Sequence, residues 1–153
     1  MMERISGERV DAIRCEPLDD PPPRTLCRLE GNFEPFAVLL TFQDWPYLRY
    51  YADCLKDAAG GSYDEVGFEY DDDEHWPGDE PFEGVRVHIP WAESVVSREA
   101  FERLMARYYE AILETVRRAV DPVASEPWWP QLTSDVGVLL DRVNARRAGR
   151  PPD

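Results

Sequence analysis

The sequence predicts an α+β fold: an antiparallel or mixed sheet of about four strands, in the order β-β-α-β-β-α-α, with helices packed against it. Three observations carry this. Two segments alternate apolar and polar residues, Val66-Phe68-Tyr70 in DEVGFEY and Val85-Val87-Ile89 in GVRVHIP, as a half-buried antiparallel strand requires. A third segment, from Phe101 to Ala119, keeps helical apolar spacing throughout. Strands fall in adjacent pairs instead of alternating with helices, which argues against a doubly wound parallel sheet. The chain has 153 residues, 43% hydrophobic and 31% charged, a length and mix that suit one globular domain.

The first 23 residues end in LDDPPP, and consecutive prolines exclude a helix interior or a central strand. Residues 1–23 are therefore expected to form a partly ordered arm, with Val10 and Ile13 able to dock it and a short edge strand near Ile13 as the alternative. Residues 24–148 form the single domain, and 149–153 a C-terminal tail. RTLCRLE reads as a strand. After the turn GNFEP, the apolar run FAVLLTF, Phe36 to Phe42, has the length and bulk of a central strand covered on both faces. A helix follows, with Asp44 as cap and Pro46 in its first turn. Leu48, Tyr51, Ala52 and Leu55 share one of its faces, and Gly60-Gly61 supplies the stop.

The two alternating segments are expected to pair as a hairpin across a long connection, residues 71–83. Ser97 caps the longest helix, whose apolar positions include Phe101, Leu104, Met105, Tyr108, Ile112 and Val116. Asp121-Pro122 stops it. SEPWWPQL is a loop, and a last helix runs from about Thr133 to Arg147 with Val136, Leu139, Leu140 and Val143 as its stripe. No internal repeat is present.

The charge is lopsided. The formal net charge is −14, which disfavours direct binding to nucleic acid and to anionic membranes. No stretch reaches the roughly 18 apolar residues of a membrane span, and MMERISGERVDAIRCE lacks the apolar run of a signal peptide, so a cytoplasmic protein is expected. Residues 57–97 carry twelve acidic groups and one basic group, Arg86, whereas residues 98–153 carry nine of each. The densest part is EYDDDEHWPGDEPFEG, Glu69 to Gly84. A solvated, mobile loop would account for such a run. However, Trp76 and Phe82 sit inside it, and Pro77 and Pro81 stiffen it, which resembles an interface more than a linker. The candidate partner-binding residues are Asp71, Asp72, Asp73, Glu74, Trp76, Asp79, Glu80 and Glu83, facing a basic protein partner.

Catalytic and cofactor signatures are missing. There is no GxSxG, GxGxxG, GxxxxGK[ST] or HExxH, so no cofactor and no catalytic residue is assigned. Asp71 to Glu74 are consecutive acids without the alternating register of a calcium loop. Cys15, Cys27 and Cys54 are odd in number and form no CxxC pair. With only two histidines besides, no metal site is expected. His88 alternates outward beside Arg86, as an ordinary sheet-face residue or as a general base. Of the five tryptophans, Trp128-Trp129 stands between prolines as a candidate second exposed anchor.

The stretch GVRVHIPW…VVSREAFERLMARYYEAI, Gly84 to Ile112, has a strand, an acidic or polar turn, an apolar pair and a Ser-capped helix with Phe at its fourth residue and aromatics further along. This resembles immunity proteins of contact-dependent growth inhibition and related polymorphic toxin systems. The resemblance implies a small, acidic, cytoplasmic, non-enzymatic α+β or α/β domain that binds one cognate toxin domain, often a nuclease. It carries over no functional residue. The rival expectations are a small hydrolase using carboxylates of this region with His88, and a general acidic adaptor or regulatory subunit.

Overall fold

The structure is a computed structural model that describes residues 2–149; residues 150–153 of the expected tail lie outside the described residues. The fold is α+β, a five-stranded mixed sheet with helices packed on it and a small two-stranded sheet beside it. In the large sheet the strand order is β1-β7-β6-β5-β4. β1 (Glu3–Arg4) runs parallel to β7 (Ala92–Val96), and the pairs among β4 (Gly61–Tyr63), β5 (Val66–Tyr70), β6 (Val85–Ile89) and β7 are antiparallel.

The hairpin read from alternation is present. Phe68 stands opposite Val87 and Tyr70 opposite Val85, all four buried against the helices. β7 was not expected as a strand. It follows a two-residue turn, Pro90-Trp91, and its alternation is muted because small residues, Ala92 and Ser94, occupy inward positions opposite Ile89 and Val87. Val95, on the opposite face, is also buried.

FAVLLTF is not a central strand. Phe36–Leu39 forms one helical turn, α2, and the buried residues Phe36, Leu39 and Leu40 follow i, i+3, i+4 spacing. A short apolar run admits either geometry by periodicity alone. No strand pairs with it, and the backbone of Leu26 and Cys27 finds its partners elsewhere. Gln43 accepts from both N–H groups at 2.7 and 2.9 Å and donates to the Cys27 carbonyl at 3.1 Å. Within RTLCRLE only Arg28–Glu30 is strand, β3, paired antiparallel with β2 (Arg14–Glu16). The edge strand near Ile13 is thus present. Before it, α1 (Gly7–Asp11) packs on α4, and Ile5, Val10 and Ile13 are buried.

α3 (Trp45–Lys56) buries Leu48, Tyr51, Ala52 and Leu55, as its spacing predicts. Asp44 occupies the N-cap without a side-chain capping bond. The left-handed residue after the helix is Ala58, φ 49°. Gly60 and Gly61 serve close approach instead: a Cβ on Gly60 would lie 2.5 Å from the Phe68 carbonyl oxygen, and one on Gly61 2.6 Å from the Cys54 sulfur.

α4 (Arg98–Ala119) starts where Ser97 Oγ accepts from Ala100 N. It lies across the inner face of the sheet, with Phe101 and Phe68 centroids 5.0 Å apart. A 3-10 turn (Pro122–Ser125) leads to α5 (Trp129–Arg147), which begins four residues earlier than expected because Pro130 fits a first helical turn. Trp128 and Trp129 pack on Trp45 at 5.5 and 5.6 Å, a contact within the fold and not an exposed anchor. Towards the other end of α5, Glu102 of α4 is fully buried. It accepts from Arg142 Nη2 at 2.6 Å, from Arg146 and from the Tyr70 hydroxyl at 2.8 Å. Arg142 in turn donates to the Leu55 and Lys56 carbonyls, so one carboxylate ties α4, α5, the end of α3 and the end of β5 together.

Candidate partner-binding surface

Residues 71–83 connect β5 to β6, and their carboxylates divide into two sets. Asp71 and Asp73 are turned into the stem. Asp71 accepts from Gly84 N at 2.7 Å and Arg98 Nη2 at 2.8 Å. The Gly84 N–H and the Arg98 guanidinium hold its carboxyl below the usual carboxylate range, against a smaller opposing effect of burial. Asp73 accepts from Tyr70 N at 2.7 Å and Gly60 N at 2.9 Å, binding the loop to the approach of β4. Both sit where Coulomb attraction and backbone donors secure the fold, not where a partner would meet them.

The second set points outward. Asp72 is exposed and shares Arg98 at 3.1 Å. Glu74, Asp79, Glu80 and Glu83 are exposed, and among the described residues no Lys, Arg or His lies within ion-pair reach of their carboxylates. Asp79 shapes the loop tip by accepting from Trp76 N at 3.2 Å. Trp76 itself is 83% exposed. Phe82, by contrast, is folded back: Arg86 Cζ lies 5.0 Å from its ring centroid and the His75 ring 5.3 Å away. One aromatic of the run anchors the loop and the other is presented to solvent.

Folding back makes a groove of about 650 Å³ on the outer face of the sheet. Glu65, Glu69 and Glu93 come from the strands and their turns, Asp79 and Glu80 from the loop, with Trp76 at the rim. The register explains the gathering. Glu69 stands opposite Arg86 and His88 opposite Glu93 across neighbouring strands. Arg86 is the groove's one Arg: Nε donates to Glu69 at 3.0 Å, and Glu93 lies at 4.0 Å. His88 Nδ1 is 3.3 Å from the Glu65 carbonyl oxygen. Five carboxylates thus face one guanidinium and one imidazole, and the excess charge suits a Lys or Arg side chain.

Glu65, Glu69 and Glu93 were not singled out from the sequence. Their convergence needs β7, whose muted alternation hid it. Among the described residues no group of three or more His, Cys, Asp or Glu side chains is placed to hold a metal ion, and no helix is long and apolar enough to cross a membrane. Comparisons with protein-family models, curated proteins and solved structures find nothing that matches this chain.

Proposed function

We propose that this protein is a cytoplasmic immunity protein that binds and neutralises a cognate basic toxin domain, a nuclease, through the acidic loop and the groove beneath it. The observation that carries the reading is the outward set Asp72, Glu74, Asp79, Glu80 and Glu83 on the same loop as an exposed Trp76, with Asp79 and Glu80 sharing its groove. A nuclease is basic where it holds its polyanionic substrate. An acidic face steers it in and masks that surface, and the exposed tryptophan, once covered by the partner, supplies the desolvated anchor that carries most binding energy.

The groove around His88 is broad and lined chiefly by charged side chains, which favours macromolecular binding over the hydrolase reading, where a closed apolar pocket is the usual setting. The test is isothermal titration against the basic toxin domain encoded beside this gene, with nuclease assays in parallel. Binding that abolishes nuclease activity and weakens as salt rises is expected. Absence of binding, or binding that leaves the nuclease active, refutes the role.

A further inference from the structure

Cysteines twelve positions apart in the chain meet in the small sheet. Cys15 stands opposite Leu29 in the β2–β3 pair, so Cys27, two residues before Leu29, falls diagonally on the same face. A diagonal pair of this kind stands about 7–8 Å apart, within reach of side-chain motion. Their surroundings differ. Cys27 is 2% exposed, and its S–H also reaches the Arg28 carbonyl at 3.6 Å. Cys15 is part-exposed and lines a groove of about 560 Å³ beside α4. Arg107, at the same groove, is fixed by donating to the Val10 and Ile13 carbonyls at 3.3 and 3.2 Å. An accessible sulfur, a fixed cation and a buried second thiol are the parts of a reactive and resolving pair.

We propose that Cys15 and Cys27 form a peroxide-oxidisable dithiol, in which Cys15 reacts from the groove and Cys27 closes on it to make a disulfide between β2 and the residue that leads into β3. The Cys15 thiolate attacks one oxygen of hydrogen peroxide. The O–O bond breaks, the departing hydroxide takes a proton and leaves as water, and Cys15 becomes a sulfenic acid. The Cys27 sulfur then attacks the Cys15 sulfur. The S–O bond breaks, the S–S bond forms, and the oxygen leaves as a second water with the proton from Cys27. Two thiols are oxidised by two electrons in all, and one peroxide is reduced to two waters.

Local charge supports the order of events. The interaction with Cys27, aided by Arg107, holds the Cys15 thiol below its ordinary range in spite of burial, while Cys27 is pushed up by the same interaction and by burial. Cys54, on α3, is pushed up mainly by burial. The proposal is independent of the toxin-binding reading.

The experiment treats the full chain with hydrogen peroxide, alkylates the remaining thiols and maps peptides by mass spectrometry. In wild type, a Cys15–Cys27 cross-link lacking two hydrogens should form and be reversed by dithiothreitol. In Cys27→Ser, dimedone should trap a sulfenic acid at Cys15. In untreated wild type, limiting maleimide should label Cys15 about tenfold or more faster than Cys54, a measurement that needs no variant to fold. Faster labelling of Cys54, dimedone capture at Cys54 instead of Cys15, or overoxidation of Cys15 in wild type without the cross-link overturns the proposal.

Discussion

Replacing Glu102 tests the interior that holds the acidic loop's stem in place. The carboxylate is fully buried, whereas Arg142 and Arg146 are 13% and 20% exposed. Removing one member of a buried ion pair costs about 3–5 kcal/mol, because the remaining charges are stranded. Here water reaches the arginines in part, and Arg142 keeps the Leu55 and Lys56 carbonyls, so Glu102→Ala should cost about 3 kcal/mol. At about 2–4 °C per kcal/mol for a chain of this size, the melting temperature should fall by about 6–12 °C. Glu102→Gln keeps an acceptor for Tyr70 and should cost about half as much.

The pH dependence gives the sign. Burial pushes the Glu102 carboxyl up, but Arg142, Arg146 and the Tyr70 hydroxyl together outweigh it and leave it below its ordinary value. A carboxylate depressed in the folded state stabilises fully above its unfolded pKa, about 4.3, and loses that contribution as pH falls through the folded value. The gap in unfolding free energy between wild type and Glu102→Gln should be constant above about pH 5.5 and should shrink on acidification below about pH 4.3. Urea unfolding at several pH values reads both quantities. A cost under about 1 kcal/mol, or a gap that widens in acid, would mean that the buried carboxylate does not hold these elements together.

Other outcomes follow from the loop and its stem. Asp73→Ala removes the acceptor for the Tyr70 and Gly60 N–H groups and should lower stability by about 2 kcal/mol in urea unfolding. Gly67→Ala drives a methyl onto the Gly61 carbonyl and to 2.7 Å from Ser62 Cα, backbone that cannot yield, and should cost about 3 kcal/mol by the same assay. Trp76→Ala should leave the melting temperature nearly unchanged, within about 0.5 kcal/mol, since the ring is 83% exposed, yet should weaken toxin binding by about 2–4 kcal/mol in titration.

What the sequence discloses depends on whether burial is one-sided. Val66-Phe68-Tyr70 and Val85-Val87-Ile89 have one dry face each, and period two showed the hairpin. α4 is dry on several sides, against the sheet, against α5 and against α1. Glu102, Met105 and Tyr109 therefore form a second buried stripe beside Phe101, Leu104 and Tyr108, and a glutamate within it looks like a surface residue until its arginines, forty residues on, are in place. The acidic run was visible as charge, but its division was not. Asp71 and Asp73 are absorbed by backbone donors at Gly84, Tyr70 and Gly60, which chain folding alone brings within reach. The same holds for Cys15 and Cys27, whose meeting depends on a strand pair of three residues each.

Engagement of the proposed basic toxin domain by this one surface, and not by the overall negative charge, is tested by removing charge in two places. Two triple variants remove equal charge: Glu74→Gln, Asp79→Asn, Glu80→Gln on the loop, and Asp20→Asn, Glu126→Gln, Asp141→Asn at exposed sites outside the groove. Dissociation constants for the toxin domain, measured across a salt series, compare them. The loop triple should raise Kd by about tenfold or more and flatten its salt dependence, while the second triple should change Kd by no more than about twofold. Equal losses from both triples would contradict a localised binding face.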